Sequence, residues 1–108
     1  MNKLLARDAG FTAVFCMSDI MAVGAMRALT DAGLRVPQDI SVLGFDGIEL
    51  GQYAVPRLAT VSQPQQEIAD QSVALLLGQI EKAAPPQTRV VSTGLLEGES
   101  VASVTSDI

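Results

Sequence analysis

The chain has 108 residues, of which 48% are hydrophobic and 18% charged, and this composition argues against disorder and for one packed domain. Seven Lys and Arg against twelve Asp and Glu give a formal charge of −5, which is unlike the basic surface that binds DNA phosphates. His and Trp are absent and Cys16 is the single cysteine, so we expect no zinc cluster, disulfide, metal or cofactor and no Ser-His or Cys-His catalytic pair.

The first elements predicted along the chain are a strand and a helix. Residues 11–16 are apolar and β-branched, which is typical of a strand buried on both faces. Residues 20–33 have helical composition and end in a glycine. Either Ser18 or Asp19 can cap the start of this helix.

The pattern continues with further strands and a second helix. Residues 40–45 predict a second strand, and a strand, helix and strand within about 35 residues favour a right-handed crossover with parallel strands. A short helical turn or irregular crossing over 48–56 precedes a short third strand at 57–62. Apolar residues then recur at helical spacing over 64–82. Residues 89–91 and 94–96 predict one or two further strands near the end of the chain, followed by a polar tail.

Polar side chains follow the ends of the predicted strands. Asp19 comes a few residues after the first strand, Asp46 directly after the second, and Gln63 directly after the third. Ligands bind beyond the carboxyl ends of parallel strands, so Asp19 and Asp46 are expected to border one crevice. Asp46 could accept hydrogen bonds from ligand hydroxyls or amines, and the Gln63 amide could both donate and accept.

Each of these residues also has a plainer interpretation. Asp19 is as typical of a helix cap as of a ligand contact, Asp46-Gly47 resembles a turn, and Gln63 could simply be solvated. The two acids also raise the alternative of a two-carboxylate hydrolase. We do not favour an enzyme, because no second group supports such chemistry and the glycines form no phosphate-binding motif.

The first helix is apolar on more than one side. Met21, Ala22, Ala25, Met26 and Leu29 can face the sheet, while Ile20 and Val23 lie on the stripe that carries polar residues one and two turns later. We expect Ile20 and Val23 to meet a partner subunit through a self-complementary patch. The alternative is that another segment of the same chain covers them.

Three stretches are distinctive when read together: Ala13-Val14-Phe15-Cys16, Ser18 to Met26, and Gly33 to Asp46. They closely resemble the LacI/GalR family of bacterial transcription regulators, and Val-Pro-Gln-Asp-Ile-Ser-Val-Leu-Gly-Phe-Asp is very specific for it. The resemblance covers roughly residues 11 to 100 and continues through Pro56, Leu58, Thr60, Val61, Gln63, Pro64 and the Leu75-Leu76-Leu77 helix.

The resemblance implies part of an effector-binding domain similar to periplasmic sugar-binding proteins. The expected fold is α/β, with a three-layer parallel sheet and flanking helices over residues 1–108, and the DNA-binding headpiece absent. The implied effector contacts are Ser18, Asp46 and Gln63, with Asp19 organising the same corner. The implied partners are a sugar, nucleoside or purine effector, operator DNA only through the headpiece, and a second subunit in a homodimer.

Some features depart from the family pattern or lose their family partners. Ser18 stands where Asn is common, Gly47 where a second polar residue is common, and Gly98 where Arg before Ser is usual. With the other lobe absent, the apolar face of the second helix is expected to pack on a neighbouring chain or back on its own sheet. That face consists of Ile68, Val73, Leu76 and Ile80.

The resemblance leaves one alternative of another class, a fragment of a periplasmic-type solute-binding protein. No run of 18 apolar residues occurs, and the first twenty residues lack the basic start and apolar stretch of a signal peptide. The sequence therefore predicts a cytoplasmic protein without membrane contact.

Overall fold

The computed structural model describes residues 1–104 as two units. The first unit comprises Met1–Ser62 and the described residues from Leu95 onward, and the second is Gln63–Gly94. The elements in chain order are α1 (Asn2–Leu5), β1 (Ala13–Phe15), α2 (Asp19–Asp31), β2 (Ser41–Asp46), α3 (Leu50–Tyr53), β3 (Ala59–Ser62), α4 (Gln65–Lys82) and β4 (Gly94–Leu96). None of the helices within residues 1–104 has the length and hydropathy of a transmembrane span.

The strands form one sheet in the order β1-β2-β3-β4. β1 runs parallel to β2 with Val14 opposite Val42, and β2 runs parallel to β3 with Gly44 opposite Thr60. The predicted parallel crossover is therefore confirmed. β1 is shorter than the predicted strand over 11–16, although Cys16 N–H still donates a hydrogen bond to Leu43 O at 2.8 Å.

α2 packs on one face of this sheet through residues spaced three and four apart. Its buried apolar residues meet a core that includes Val42 and Leu58, both fully buried. The expectation that Met21 faces the sheet is wrong, because Met21 lies at the edge of the buried stripe and is largely exposed. The residues that form the buried stripe are Ala22, Ala25, Met26 and Leu29.

The other face of the sheet carries an apolar cavity of about 730 Å³. It is lined partly by Phe15, Leu43, Leu95 and Val101, which lie on strands or on the segment after β4. Within the first unit, α2 and α3 contact each other on the opposite side. The α/β class with flanking helices is confirmed, and the helices of the first unit supply one of the two expected helical layers.

The segment after β4 is held at the amino ends of β2 and β3 by Ser100. The fully buried Ser100 hydroxyl donates to Val42 O at 2.6 Å and accepts from Ala59 N–H at 2.8 Å. Val42 N–H in turn donates to Ser100 O at 2.8 Å. A Cβ atom at Gly98 would lie 2.5 Å from the main chain of Arg57 and Ala59, so glycine allows this close approach.

The second unit contains α4, none of whose residues is buried. The apolar residues Val73, Leu76 and Ile80 are all exposed, and Ile68 is half-buried. Packing of this face on a neighbouring chain or on its own sheet stays a prediction. Residues 89–91 form no strand, and Arg89 donates a hydrogen bond to Gln71 of α4.

Candidate functional site

The carboxyl ends of β1, β2 and β3 lie side by side because the three strands are parallel neighbours. Phe15 of β1 is opposite Leu43, and Asp46 at the end of β2 is opposite Ser62 at the end of β3. In open parallel sheets this edge is where ligands bind. We call the edge formed by Ser18, Asp19, Asp46 and the loop residues Gly47 and Ile48 the carboxyl rim.

Asp19 begins α2 and is 0% exposed. Its Oδ2 accepts hydrogen bonds from the main-chain N–H groups of Gly47 and Ile48, both at 2.8 Å. Its Oδ1 accepts a hydrogen bond from the Thr60 hydroxyl at 2.6 Å. Asp19 therefore joins the start of α2 to the loop after β2 and to β3, and offers no accessible surface to a ligand in this structure.

Gly44 of β2 makes room for this buried carboxylate. A Cβ atom on Gly44 would lie 2.9 Å from Leu58 Cδ2, closer still to Asp19 Oδ1, and 3.3 Å from Thr60 Oγ1. Sequence reasoning gave neither Gly44 nor Thr60 a role at the site. The available signal was Thr60 itself, since a polar residue in an apolar strand needs a hydrogen-bond partner when it is buried.

Asp46 is the last residue of β2, and its backbone φ is 135°. Such values are rare for residues with a side chain and are concentrated at functional sites, where surrounding contacts hold the strained backbone. The following Gly47 also has a positive φ, and a Cβ there would lie 2.8 Å from Ser62 Cβ. Asp46 is half-buried, whereas Asp19 is fully enclosed.

The other two predicted effector contacts are Ser18, which lies between β1 and α2, and Gln63, which comes after β3. Ser18 is the N-cap of α2, and its Oγ accepts a hydrogen bond from Met21 N–H at 3.2 Å. Of the two caps that the sequence allowed, the structure therefore has Ser18 and not Asp19. Gln63 directly follows the end of β3 and is the first residue of the second unit. The predicted effector contacts of Ser18, Asp19, Asp46 and Gln63 stay predictions.

The two residues of the predicted dimer patch lie on α2. Ile20 is 68% exposed, and Val23 is half-buried beside a cavity lined in part by Leu34, Val55 and Pro56. Segments of the same chain therefore cover part of Val23 and leave Ile20 open. The dimer patch stays a prediction.

Two titratable side chains of the first unit have raised pKa values. Burial raises the pKa of the Cys16 thiol, which favours the protonated and unreactive form. Tyr53 of α3 donates a hydrogen bond to Glu49, and this bond raises the pKa of the Tyr53 phenol. Among residues 1–104, no three Cys, Asp or Glu side chains lie together in a way that could hold a metal ion.

The chain matches the periplasmic binding protein-like domain over residues 2–101. It is 43% identical over 100 residues to the HTH-type transcriptional regulator MalR of Clostridium butyricum, covering 93% of this chain and 30% of that protein. It is 45% identical over 103 residues to the HTH-type transcriptional repressor PurR of Yersinia enterocolitica, covering 94% of this chain and 30% of that protein. The chain thus spans under a third of the length of these relatives.

A solved structure of a transcriptional regulator is also similar to this chain. The LacI family transcriptional regulator from Arthrobacter sp. FB24, in complex with lactose, superposes with a TM-score of 0.81 at 31% identity. The alignment covers 93% of this chain and 38% of that one.

These matches define the class of protein: the chain belongs to the periplasmic binding protein-like domain family. Its resemblance to the LacI/GalR regulators is confirmed, and it corresponds to part of their effector-binding domain. The named relatives are transcriptional regulators rather than enzymes.

Proposed function

We propose that this chain is the effector-sensing and dimerisation portion of a LacI-type regulator that controls operator binding in response to a small molecule. The observation that carries the proposal is the carboxyl rim, where Asp46 holds a φ of 135° beside a loop clamped by Asp19. A strained acid at the ligand-binding edge of a parallel sheet is typical of a recognition site.

Each predicted site residue has a distinct part in this proposal. The Asp46 carboxylate accepts hydrogen bonds from effector hydroxyl or amine groups, and the Ser18 hydroxyl and Gln63 amide supply further polar contacts. Asp19 acts on the effector indirectly, because both of its oxygens already accept hydrogen bonds from the protein. The effector classes that fit such contacts are sugars, nucleosides and purines.

Regulation requires parts that lie outside these 108 residues. The operator-binding headpiece is one of them, and the formal charge of −5 agrees with a chain that does not touch DNA itself. In the longer, cytoplasmic protein, effector closes two lobes and changes the spacing of two headpieces in a homodimer joined through Ile20 and Val23. Operator affinity then changes because the effector binds the two states with different affinity.

A fragment of a periplasmic-type solute-binding protein is the alternative, since it would share the same lobes. The gene sequence upstream separates the two: a helix-turn-helix headpiece supports the regulator, and a signal peptide supports the solute receptor. The names of the relatives favour the regulator. An acid–base enzyme finds no support at the rim, because Asp19 is enclosed and has no access to a substrate.

Ligand titration followed by ¹H–¹⁵N NMR tests the proposal. We expect lactose, inosine or hypoxanthine to shift the amide signals of Gly47 and Ile48. The affinity should be weak, because this chain supplies only one half of the crevice between two lobes and leaves much of a small ligand in water. Asp46→Asn should remove these shifts. Asp70→Asn, on exposed α4, is the matched control and should leave them unchanged.

Two results would contradict the proposal. The first is an absence of shifts at the rim with all three probes at high millimolar concentration. The second is a set of rim shifts that Asp46→Asn leaves intact, because the carboxylate would then have no part in binding. Tight binding would instead overturn the expectation that the chain holds only half of the crevice.

A further inference from the structure

The Thr60 side chain is fully buried in β3, and its hydroxyl is directed to Asp19. The Oγ1 to Oδ1 distance of 2.6 Å is that of a strong hydrogen bond to a carboxylate. As a β-branched residue in a strand, Thr60 has few side-chain rotamers, so packing of its methyl group fixes the direction of the hydroxyl. Thr60 therefore holds one oxygen of Asp19 in a single position.

The other oxygen of Asp19 passes this constraint to the loop after β2. Oδ2 accepts from Gly47 and Ile48, the two residues that follow Asp46. The carboxyl group is rigid, so fixing Oδ1 also fixes Oδ2. A continuous series of hydrogen bonds thus runs from β3 through the start of α2 to the strained backbone at the end of β2.

The hydrogen-bonded position of Asp19 requires a glycine at position 44. The space that a Cβ atom would fill is taken by Asp19 Oδ1, Leu58 Cδ2 and, at 3.3 Å, Thr60 Oγ1. Every buried polar side-chain atom of the described residues has a hydrogen-bond partner. Loss of the Thr60 hydroxyl would therefore leave Oδ1 of a buried carboxylate without its donor, which is a costly change.

We propose that Thr60 is a positioning residue for the effector contact made by Asp46: its hydroxyl, acting through Asp19, fixes the backbone of Asp46 and Gly47. The inference rests on the proposed function, because Asp46 is taken as the residue that touches the effector. Thr60 itself touches no effector.

Amide hydrogen exchange in the 108-residue chain tests this without any effector, by comparing wild type with Thr60→Val and Thr60→Ser. Val has the shape of Thr without the hydroxyl, and Ser keeps the hydroxyl. In Thr60→Val, exchange at Gly47 and Ile48 should become faster by about tenfold or more. The three-bond HN–Hα coupling of Asp46, which reports its φ, should also change, and Thr60→Ser should restore both values toward wild type.

The other ends of the same strands provide an internal control. The amides of Val42 and Ala59 donate to Ser100 and should keep exchange rates within about twofold of wild type in Thr60→Val. Equal acceleration at all four amides would mean a general loss of stability and would overturn the proposal, as would unchanged rates at Gly47 and Ile48. Because no effector is used, failure of the proposed function leaves this result interpretable, and the reverse also holds.

Discussion

Gly44 has no side chain, and the space this leaves beside β2 is occupied by the buried carboxylate of Asp19. Asp19 reaches across the face of β2 at this position, and its oxygens meet donors from the loop and from β3. A buried carboxylate is tolerated only when hydrogen bonds replace the water it loses. The backbone amides of Gly47 and Ile48 and the hydroxyl of Thr60 provide that replacement.

Gly44→Ala should therefore destabilise the chain strongly. The new Cβ would lie 2.9 Å from Leu58 Cδ2 and closer still to Asp19 Oδ1, so either the carboxylate or the strand must move. We expect the free energy of unfolding to fall by about 2–3 kcal/mol, measured by urea denaturation.

Gly24→Ala is the matched control for this change. Gly24 lies within α2, and apart from its chain neighbours and the helix's own backbone a Cβ there would meet no atom within 4 Å. Alanine should raise the free energy of unfolding by about 0.5–1 kcal/mol, because glycine is a poor helix former. A Gly44→Ala variant as stable as wild type would contradict the close packing described at the rim.

At the scale of elements, the amino ends of β2 and β3 depend on the segment that follows β4. The Ser100 hydroxyl bridges β2 and β3, because it accepts a hydrogen bond from Ala59 N–H and donates one to Val42 O. Ser41 reinforces the same edge by accepting a hydrogen bond from Ala102 N–H at 3.0 Å. The segment after β4 therefore makes hydrogen bonds at the amino ends of β2 and β3. Asp19 makes them with β3 and with the loop at the carboxyl end of β2.

Ser100→Ala should weaken this end of the sheet. The change leaves a buried N–H and a buried carbonyl without the hydroxyl, and we expect a loss of about 2–3 kcal/mol in the free energy of unfolding by urea titration. Ser103→Ala removes the same group from an exposed position and should change stability by less than about 0.5 kcal/mol. Equal losses for the two substitutions would show that the hydrogen bonds of Ser100 add nothing to the free energy of unfolding.

The elements differ in how far the sequence could predict them. Local pattern predicted the parallel arrangement of β1 and β2, a cap at Ser18 or Asp19, and the buried stripe of α2 apart from the exposed Met21, because apolar spacing and capping chemistry act over a few residues. Of the one or two late strands expected at 89–91 and 94–96, the second formed as β4 and the first did not, since β-branched residues alone favour a strand only where a neighbour pairs with them. Thr60 and Ser100 were missed because their partners are distant in sequence: Asp19 is 41 positions from Thr60, and Val42 is 58 from Ser100.

At the scale of the whole molecule, exposed apolar side chains occur on the described residues of both units. Ile20 is 68% exposed on α2, and Leu76 and Ile80 are exposed on α4. Exposed apolar patches of this kind mark contacts with other chains. A self-complementary patch that includes Ile20 and Val23 would bury these side chains in a symmetric dimer.

Sedimentation velocity at micromolar concentration should show self-association that weakens on dilution, and Ile20→Glu should weaken it by at least about tenfold. A charge buried at the centre of an apolar interface costs more than the 1.4 kcal/mol that a tenfold change represents. The monomer should fold normally, because the side chain is exposed and an acid in the first turn of α2 interacts favourably with the helix dipole.

Gln87→Glu adds the same charge at an exposed position of the second unit and should sediment like wild type. If Ile20→Glu also sediments like wild type, the α2 patch is not the interface, and Leu76→Glu then tests the apolar face of α4 in the same way. A wild-type chain that stays monomeric at micromolar concentration would exclude both surfaces as strong interfaces.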